Sequence, residues 1–281
     1  MNKKQVWFIT GAGRGLGVEI AKAALTAGHA VVGTAREIQS IEKALGKSGD
    51  LLAVKLDITN PKDAEFAVRT AIERFRRIDV LVNNAGNFYA GYFEDLSPED
   101  IQKQIDTNLI GPMNVTRAVL PEMRKQKSGL VITVSSMAGL YGIEFGSAYA
   151  LSKFGVEGWM LSLASEIEPF GIHTTIVNPG FFRTDLLSQK SMTFGSNPTE
   201  AYKEKRAKME AGWSGAAGTQ PGDPKKLAGA LITIAAKPIP PKRFIAGADA
   251  VKDARKVAAV LVQQIEENLE LSSNLGFSPK A

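Results

Sequence analysis

Short runs of β-branched and apolar residues alternate along the chain with longer segments whose apolar positions recur every three or four residues. Val6 to Thr10, Ala30 to Thr34, Leu51 to Lys55, Val80 to Asn83, Leu130 to Ser135 and Thr174 to Asn178 have the length and make-up of buried strands. The periodic segments between them read as helices. Three of their starts are marked, because Asn60-Pro61, Ser97-Pro98 and Asp223-Pro224 each place a capping side chain before a proline at the first helical position. Strand, helix, strand repetition predicts parallel pairing with right-handed crossovers, hence an α/β, doubly wound sheet of about seven strands with helices on both faces. No repeat, low-complexity tract or long linker interrupts the pattern, so residues 1–281 are expected to form a single domain.

Two stretches depart from it. Phe181 to Gln220 is too long for an ordinary loop and carries Phe181, Phe182, Leu186, Leu187, Met192, Phe194 and Trp213, which suits either a lid over an apolar pocket or a helical segment packed on the same domain. Residues 250–275 place Val257, Leu261, Ile265 and Leu269 on one helical stripe, so the tail is read as an amphipathic helix that covers the protein's own sheet edge or reshapes a subunit contact.

Composition narrows the chemistry. Of 281 residues, 44% are hydrophobic and 22% charged, a balance that buries a large core. There is no cysteine and there are two histidines, His29 and His173, which removes thiolate chemistry and makes metal sites and a Ser-His-Asp triad unattractive. The apolar run from Val6 to Ile9 is too short for a signal-peptide core or a membrane span, and a cytoplasmic protein with no membrane partner is expected. Lys plus Arg number 34 against 29 Asp plus Glu, a scattered excess of five that describes a solvated surface rather than a nucleic-acid interface.

The first strand runs into Thr10-Gly11-Ala12-Gly13-Arg14-Gly15-Leu16-Gly17 and then a helix. Gly11, Gly15 and Gly17 let a backbone turn sharply and approach a pyrophosphate, whose charge free amides and the positive helix end would offset. The spacing differs from Gly-x-Gly-x-x-Gly, so taken alone the turn reads as a cofactor cradle or as a structural bend. At the end of the second strand, where an acidic residue would favour NAD(H), the chain has Thr34-Ala35-Arg36. Arg36 and Arg14 offer forked hydrogen bonds to a 2′-phosphate, which points to NADP(H) over NAD(H); the other reading is that Arg36 begins a solvated helix.

Tyr149 and Lys153 lie four residues apart in a helical segment and so share a face. A phenol near its reference pKa of about 10 is a poor base, but a neighbouring ammonium lowers that value and makes the pair a proton donor or acceptor for a carbonyl or alcohol oxygen. Upstream, Val131 to Gly139 reads as a buried strand ending in Ser135 and Ser136, at the edge where a parallel sheet opens its ligand crevice. Ser136 ranks above Ser135 because alternate strand residues face opposite sides.

With these residues in place the chain resembles the short-chain dehydrogenase/reductase family. The resemblance rests on Thr10 to Gly17, Asp57, Asn83-Asn84-Ala85-Gly86, Asn108, Ser136, Tyr149 with Lys153, and Asn178-Pro179-Gly180 through Thr184, and spans about residues 5 to 250. It implies a Rossmann fold, with Tyr149 as general acid or base and Lys153 lowering its pKa and holding the nicotinamide ribose. It further implies that Ser136 orients the substrate oxygen and that Asn108 completes a water-borne proton relay. The cofactor-binding set it implies adds Leu16, Asp57 at the adenine, Ile58, Asn84, Ala85 and Gly86 beneath the cofactor, and Pro179, Gly180, Phe182 and Thr184 at its nicotinamide end. Phe88, Tyr89, Tyr92 and Phe93 suggest a small apolar carbonyl or alcohol substrate, in the manner of the family's hydroxysteroid-dehydrogenase-like branch. The expected activity is carbonyl reduction with NADP(H), in a homodimer or homotetramer. A catalytically silent NADP(H)-sensing protein is the alternative; a sugar-nucleotide epimerase is disfavoured by length and glycine spacing.

Overall fold

The computed structural model describes residues 4–188 and 191–277. Strands β1 (Val6–Thr10), β2 (Ala30–Ala35) and β3 (Leu51–Lys55) alternate with helices α1 (Gly15–Thr26), α2 (Ile38–Leu45) and α3 (Pro61–Phe75). Then come β4 (Val80–Asn83), β5 (Phe88–Ala90), α4 (Pro98–Ile105), α5 (Gly111–Gln126), β6 (Gly129–Val134), α6 (Ser147–Ile167) and β7 (Ile172–Pro179). The chain closes with β8 (Met192–Phe194), α7 (Lys203–Ala216), α8 (Pro224–Ala235), β9 (Arg243–Ala246), α9 (Ala248–Glu267) and α10 (Leu269–Ser273).

Seven of these strands form one parallel sheet in the order β3-β2-β1-β4-β6-β7-β9, which is the doubly wound Rossmann arrangement. Alternation along each strand divides the core. On one face Phe8, Val32, Leu81, Val131 and Ile176 pack against Ala67, Val119 and Met160 of α3, α5 and α6. On the other, Trp7, Ile9, Val31, Val82 and Ile132 meet Ile20, Ala24, Leu227 and Leu231 of α1 and α8. Winding reverses between β1 and β4, so their carboxyl ends open the crevice in which such sheets bind ligands.

The local signals are realised as hydrogen bonds. Asn60, Ser97 and Asp223 each accept a backbone N–H of the first turn, and Ser97 forms a reciprocal box with Asp100. Strand bounds differ from the sequence reading by at most two residues. A two-stranded parallel ribbon of β5 and β8 was not foreseen, because three-residue segments have too little pattern. It ties the Phe181–Gln220 stretch to the sheet end. Most of that stretch is structured, with helix α7 laying Met209 and Trp213 against a cluster of Phe88, Phe145, Tyr149 and Met192. Phe182 departs from the expected aromatic set, packing instead on the α1/α8 side of the sheet. Buried Asp95 holds the segment down, accepting from Thr199 N at 2.7 Å and Arg206 Nη1 at 3.0 Å. Among the described residues no helix is long and apolar enough to cross a membrane.

Ile132 is fully buried in a central strand. Replacing it with alanine is predicted to cost about 2–5 kcal/mol, read as a lower denaturant midpoint with an unchanged m-value; a loss under about 1 kcal/mol would contradict this placement.

Candidate active site

Helix α1 begins at the carboxyl end of β1, at the crevice. Its N-cap residue, Arg14, makes no side-chain capping bond and its first turn holds no acidic residue. The preceding turn needs its glycines. Gly15 has φ +53°, and a Cβ on Gly17 would collide with the Gly11 carbonyl oxygen. Leu16 packs its side chain into the α1/α8 core, so this position faces the crevice only through backbone. Thr10 and Asn84 lock the turn to the neighbouring strand end. The Thr10 hydroxyl accepts from Asn84 N at 2.9 Å and Ala85 N at 3.0 Å, while Asn84 Nδ2 donates to Thr10 O at 2.9 Å. Thr10 was named in the sequence motif without a role, and its role is this clamp.

Arg14 and Arg36 lie close enough to interact. Burial lowers the Arg14 pKa, the like charge of Arg36 lowers it further, and Asp185 opposes the change. Arg14 at the start of α1 and Arg36 just after β2 form a guanidinium pair able to donate to an anion, with the Asp185 carboxylate near Arg14. Asp57 accepts from Thr59 N at 2.9 Å and Thr59 Oγ1 at 2.7 Å. Ile58 is buried and its carbonyl accepts from Asn114 Nδ2 at 3.1 Å, so its side chain belongs to the core. These residues fit a dinucleotide: a helix N-terminus without a side-chain cap, a cradle that added Cβ atoms would fill, and a cationic rim.

At the other end of the crevice, Tyr149 and Lys153 stand on the first turns of α6, both nearly buried. Lys153 Nζ sits 5.6 Å from the Tyr149 ring centroid and donates to Val134 O at 2.9 Å. The Ser136 hydroxyl accepts from Ala138 N at 3.1 Å and lies near enough to the Tyr149 phenol to lower its pKa. Phe88 covers the phenol ring at 4.8 Å between centroids, and Trp213 lies edge-on to Phe88 at 5.3 Å. Burial pushes the Tyr149 pKa up to about 12, with Ser136 opposing it. Burial also brings Lys153 down to about 8, with Glu157 opposing that shift. The expected lowering of the tyrosine by its lysine is therefore outweighed by desolvation in the free protein, which favours the neutral form of both groups.

Asn108 lies buried on a π turn, Asp106–Ile110, that joins α4 to α5. Its amide donates to Asn87 O at 2.9 Å and Ser152 Oγ at 3.3 Å, and its Oδ1 accepts from Asn87 N at 2.9 Å. Both amide protons are thus committed, one to the floor turn after Gly86 and one to Ser152 on α6. Thr184 lies beyond β7, beside Gly15. The Pro179-Gly180 turn is pinned by Asp249 of α9, which accepts from Phe181 N at 2.7 Å and leaves no room for a Cβ on Gly180.

A supporting network went unread in the sequence. Glu157 accepts from Asn178 Nδ2 at 2.6 Å and from Arg243 Nη2 at 2.5 Å, while the same Asn178 nitrogen donates to Ser136 O at 2.9 Å. The backbone beside the serine hydroxyl is therefore fixed by an ion pair between buried Glu157 and exposed Arg243. The one available signal was spacing, since Glu157 falls four residues after Lys153 on the same helix face.

A family model described as short chain dehydrogenase matches residues 5–193. The chain belongs to that family. An oxidoreductase of the fungus Botryotinia fuckeliana, BOA17, is 37% identical over 270 residues, covering 95% of this chain and 98% of the relative. A crystal structure of a short-chain dehydrogenase from Streptomyces avermitilis superposes with a TM-score of 0.87 at 33% identity, covering 98% of this chain and all of that one. A 3-ketoacyl-(acyl-carrier-protein) reductase of Brucella melitensis, solved with NADH, has a TM-score of 0.69 at 25% identity, covering 82% of this chain and 90% of its own. The protein is thus a short-chain dehydrogenase-type oxidoreductase with a nicotinamide-binding structural neighbour.

The Lys153 and Glu157 charges set a pH signature for any proton transfer at Tyr149. Lysine is cationic below its pKa, so activity that needs the cation falls as pH rises through about 8. Glu157→Gln removes a group that raises this pKa, so the alkaline limb of kcat/KM is predicted to move to lower pH. A limb that stays in place or moves up would contradict the coupling.

Proposed function

We propose that this dehydrogenase reduces an apolar carbonyl compound with NADPH, or oxidises the corresponding secondary alcohol with NADP+, using Tyr149 as the proton-transferring group. The observation that carries the reading is the buried Tyr149 on α6, with Ser136 near its phenol and Lys153 held beside its ring by Val134 O, at the end of the sheet where the glycine turn also lies. Bound NADPH supplies the hydride that reduces the carbonyl carbon. Ser136 donates a hydrogen bond to the carbonyl oxygen and fixes its position. Tyr149 passes its phenolic proton to that oxygen, and the Lys153 ammonium beside the ring stabilises the phenolate left behind. Asn108 secures the Asn87 turn under the reacting groups, and a water relay from this position draws on the Oδ1 lone pair or the backbone, its amide protons being taken.

Several side chains support the choice of substrate and cofactor. Phe88, Phe145, Met192 and Trp213 surround Tyr149 with apolar surface, which favours a hydrophobic ketone and keeps water from the phenol. Helix α7, with no fully buried residue of its own, serves as the lid whose Trp213 opens for substrate. Arg14 and Arg36 support the 2′-phosphate of NADP(H) over NAD(H).

Tyr149→Phe is predicted to lower kcat by about 10²–10⁴-fold while NADPH affinity, read by fluorescence titration, stays within about threefold. Full activity would refute the tyrosine, and unaltered binding with no turnover in the wild type on any ketone would support the sensing alternative. Arg36→Ala is predicted to reduce kcat/KM for NADPH by about 10-fold or more, with NADH efficiency little changed. Equal losses with both cofactors would remove the 2′-phosphate assignment.

A further inference from the structure

Glu157 and Lys153 stand four residues apart on α6, a spacing at which a carboxylate and an ammonium can pair along a helix. In this protein each is held by other groups. Lys153 Nζ donates to Val134 O at 2.9 Å, beside the Tyr149 ring. Glu157 has both oxygens engaged elsewhere: Oε1 accepts from Asn178 Nδ2 at 2.6 Å and Oε2 from Arg243 Nη2 at 2.5 Å. Its stem is confined as well, since a Cβ on Gly139 would fall 3.0 Å from Glu157 Cγ. One buried carboxylate thus serves two cations, Arg243 by contact and Lys153 by charge alone.

The other titratable groups around this line are Tyr149 on α6 and, across the turn whose Gly139 touches Glu157, Tyr141 with Asp249 and Asp253 from the first turns of α9. Beyond Val257 that helix is exposed through Phe277 and does not cover the sheet edge at β9. The strands β6 and β7 contribute neutral groups here, Val134 O and Asn178. Lys242, next to Arg243, pairs with Glu168 instead. A carboxylate as buried as Glu157 is costly without a cation. With Arg243 removed, the cation left to it is Lys153, one helical turn away.

We propose that Arg243 is a positioning residue for proton transfer at Tyr149: by holding the Glu157 carboxylate against β7 and β9, it keeps Lys153 on Val134 O beside the phenol instead of in an ion pair along α6. The proposal rests on the reading of Tyr149 and Lys153 as the proton-transferring pair. A freed Glu157 would also loosen Asn178, whose Nδ2 donates to Ser136 O at 2.9 Å, so lysine and serine would lose their places together. An ammonium in direct contact with Glu157 would stay cationic to higher pH, because an opposite charge favours the charged form.

Lysine isotopically labelled at Cε and read by NMR in the full chain, with the Lys153 resonance assigned by its absence in Lys153→Arg, gives the titration of Lys153 without reference to turnover. The wild-type midpoint is expected at about 8. Arg243→Gln is expected to raise it by about one unit, and Arg243→Lys, which keeps the charge, to restore most of the wild-type value. In a Glu157→Gln background the rise caused by Arg243→Gln is expected to shrink to less than half. The alkaline limb of kcat/KM, measured with NADPH on a panel of aryl and alkyl ketones that includes acetophenone, is expected to move with the lysine. Lower stability alone would reduce the folded fraction without moving the midpoint. The proposal is overturned if Arg243→Gln leaves the midpoint unchanged or lowers it, or if the rise is equal in both backgrounds. A wild type that reduces no ketone of the panel would count against the proposed reaction, and the lysine titration would still decide the role of Arg243.

Discussion

The removal of Tyr149 and Lys153 from water governs the rest of the site. Each group alone would exchange protons far from neutrality, and burial moves them apart: the phenol up to about 12, the ammonium down to about 8. In the free protein both are thereby biased to their neutral forms, which keeps the phenol loaded with its proton. In the proposed reaction the lysine supplies a positive charge at short range once a phenolate begins to form, in surroundings of low polarity where that charge acts strongly. The same burial requires rigid support, because an ionisable group in an apolar pocket that shifts by an ångström loses its partner. Val134 O holds the lysine, and the Arg243, Glu157 and Asn178 chain holds the backbone at Ser136.

The fold brings this pair to the crevice by two independent routes. Parallel pairing places the carboxyl ends of β1, β4, β6 and β7 on one edge, so the glycine turn, the Asn84 floor, Ser136 and the Pro179 turn arrive there from residues far apart in sequence. Helix α6 then presents Tyr149 and Lys153 from the side, anchored by Val156, Met160 and Leu163 in the core on that face of the sheet. Chemistry and core packing thus share one helix, and neither can be moved without the other.

The architecture was legible because strand and helix periods are local properties, and the caps at Asn60, Ser97 and Asp223 are local as well. The candidate site was legible as residues and less so as physics. Tyr149, Lys153 and Ser136 came from spacing and resemblance, yet the direction of the tyrosine's shift did not, because desolvation depends on what packs over the ring, here Phe88 and Trp213. Glu157 and Arg243 are separated by 86 positions and meet only through the sheet. Asp249 was hidden for the same reason, lying far along the chain from the turn it pins. The Phe181–Gln220 stretch was read with two alternatives, and the helix and the aromatic cover now occur in the same segment.

The proton state of Tyr149 tests the central claim most directly. Its phenolate absorbance can be isolated as the ultraviolet difference between wild type and Tyr149→Phe during an alkaline titration, with and without NADP+. The account predicts no Tyr149 phenolate below about pH 10 in the free protein and a downward shift when the positively charged nicotinamide is bound. A phenolate that titrates below about pH 9 in the free protein, or a pKa that NADP+ leaves unchanged, would contradict it.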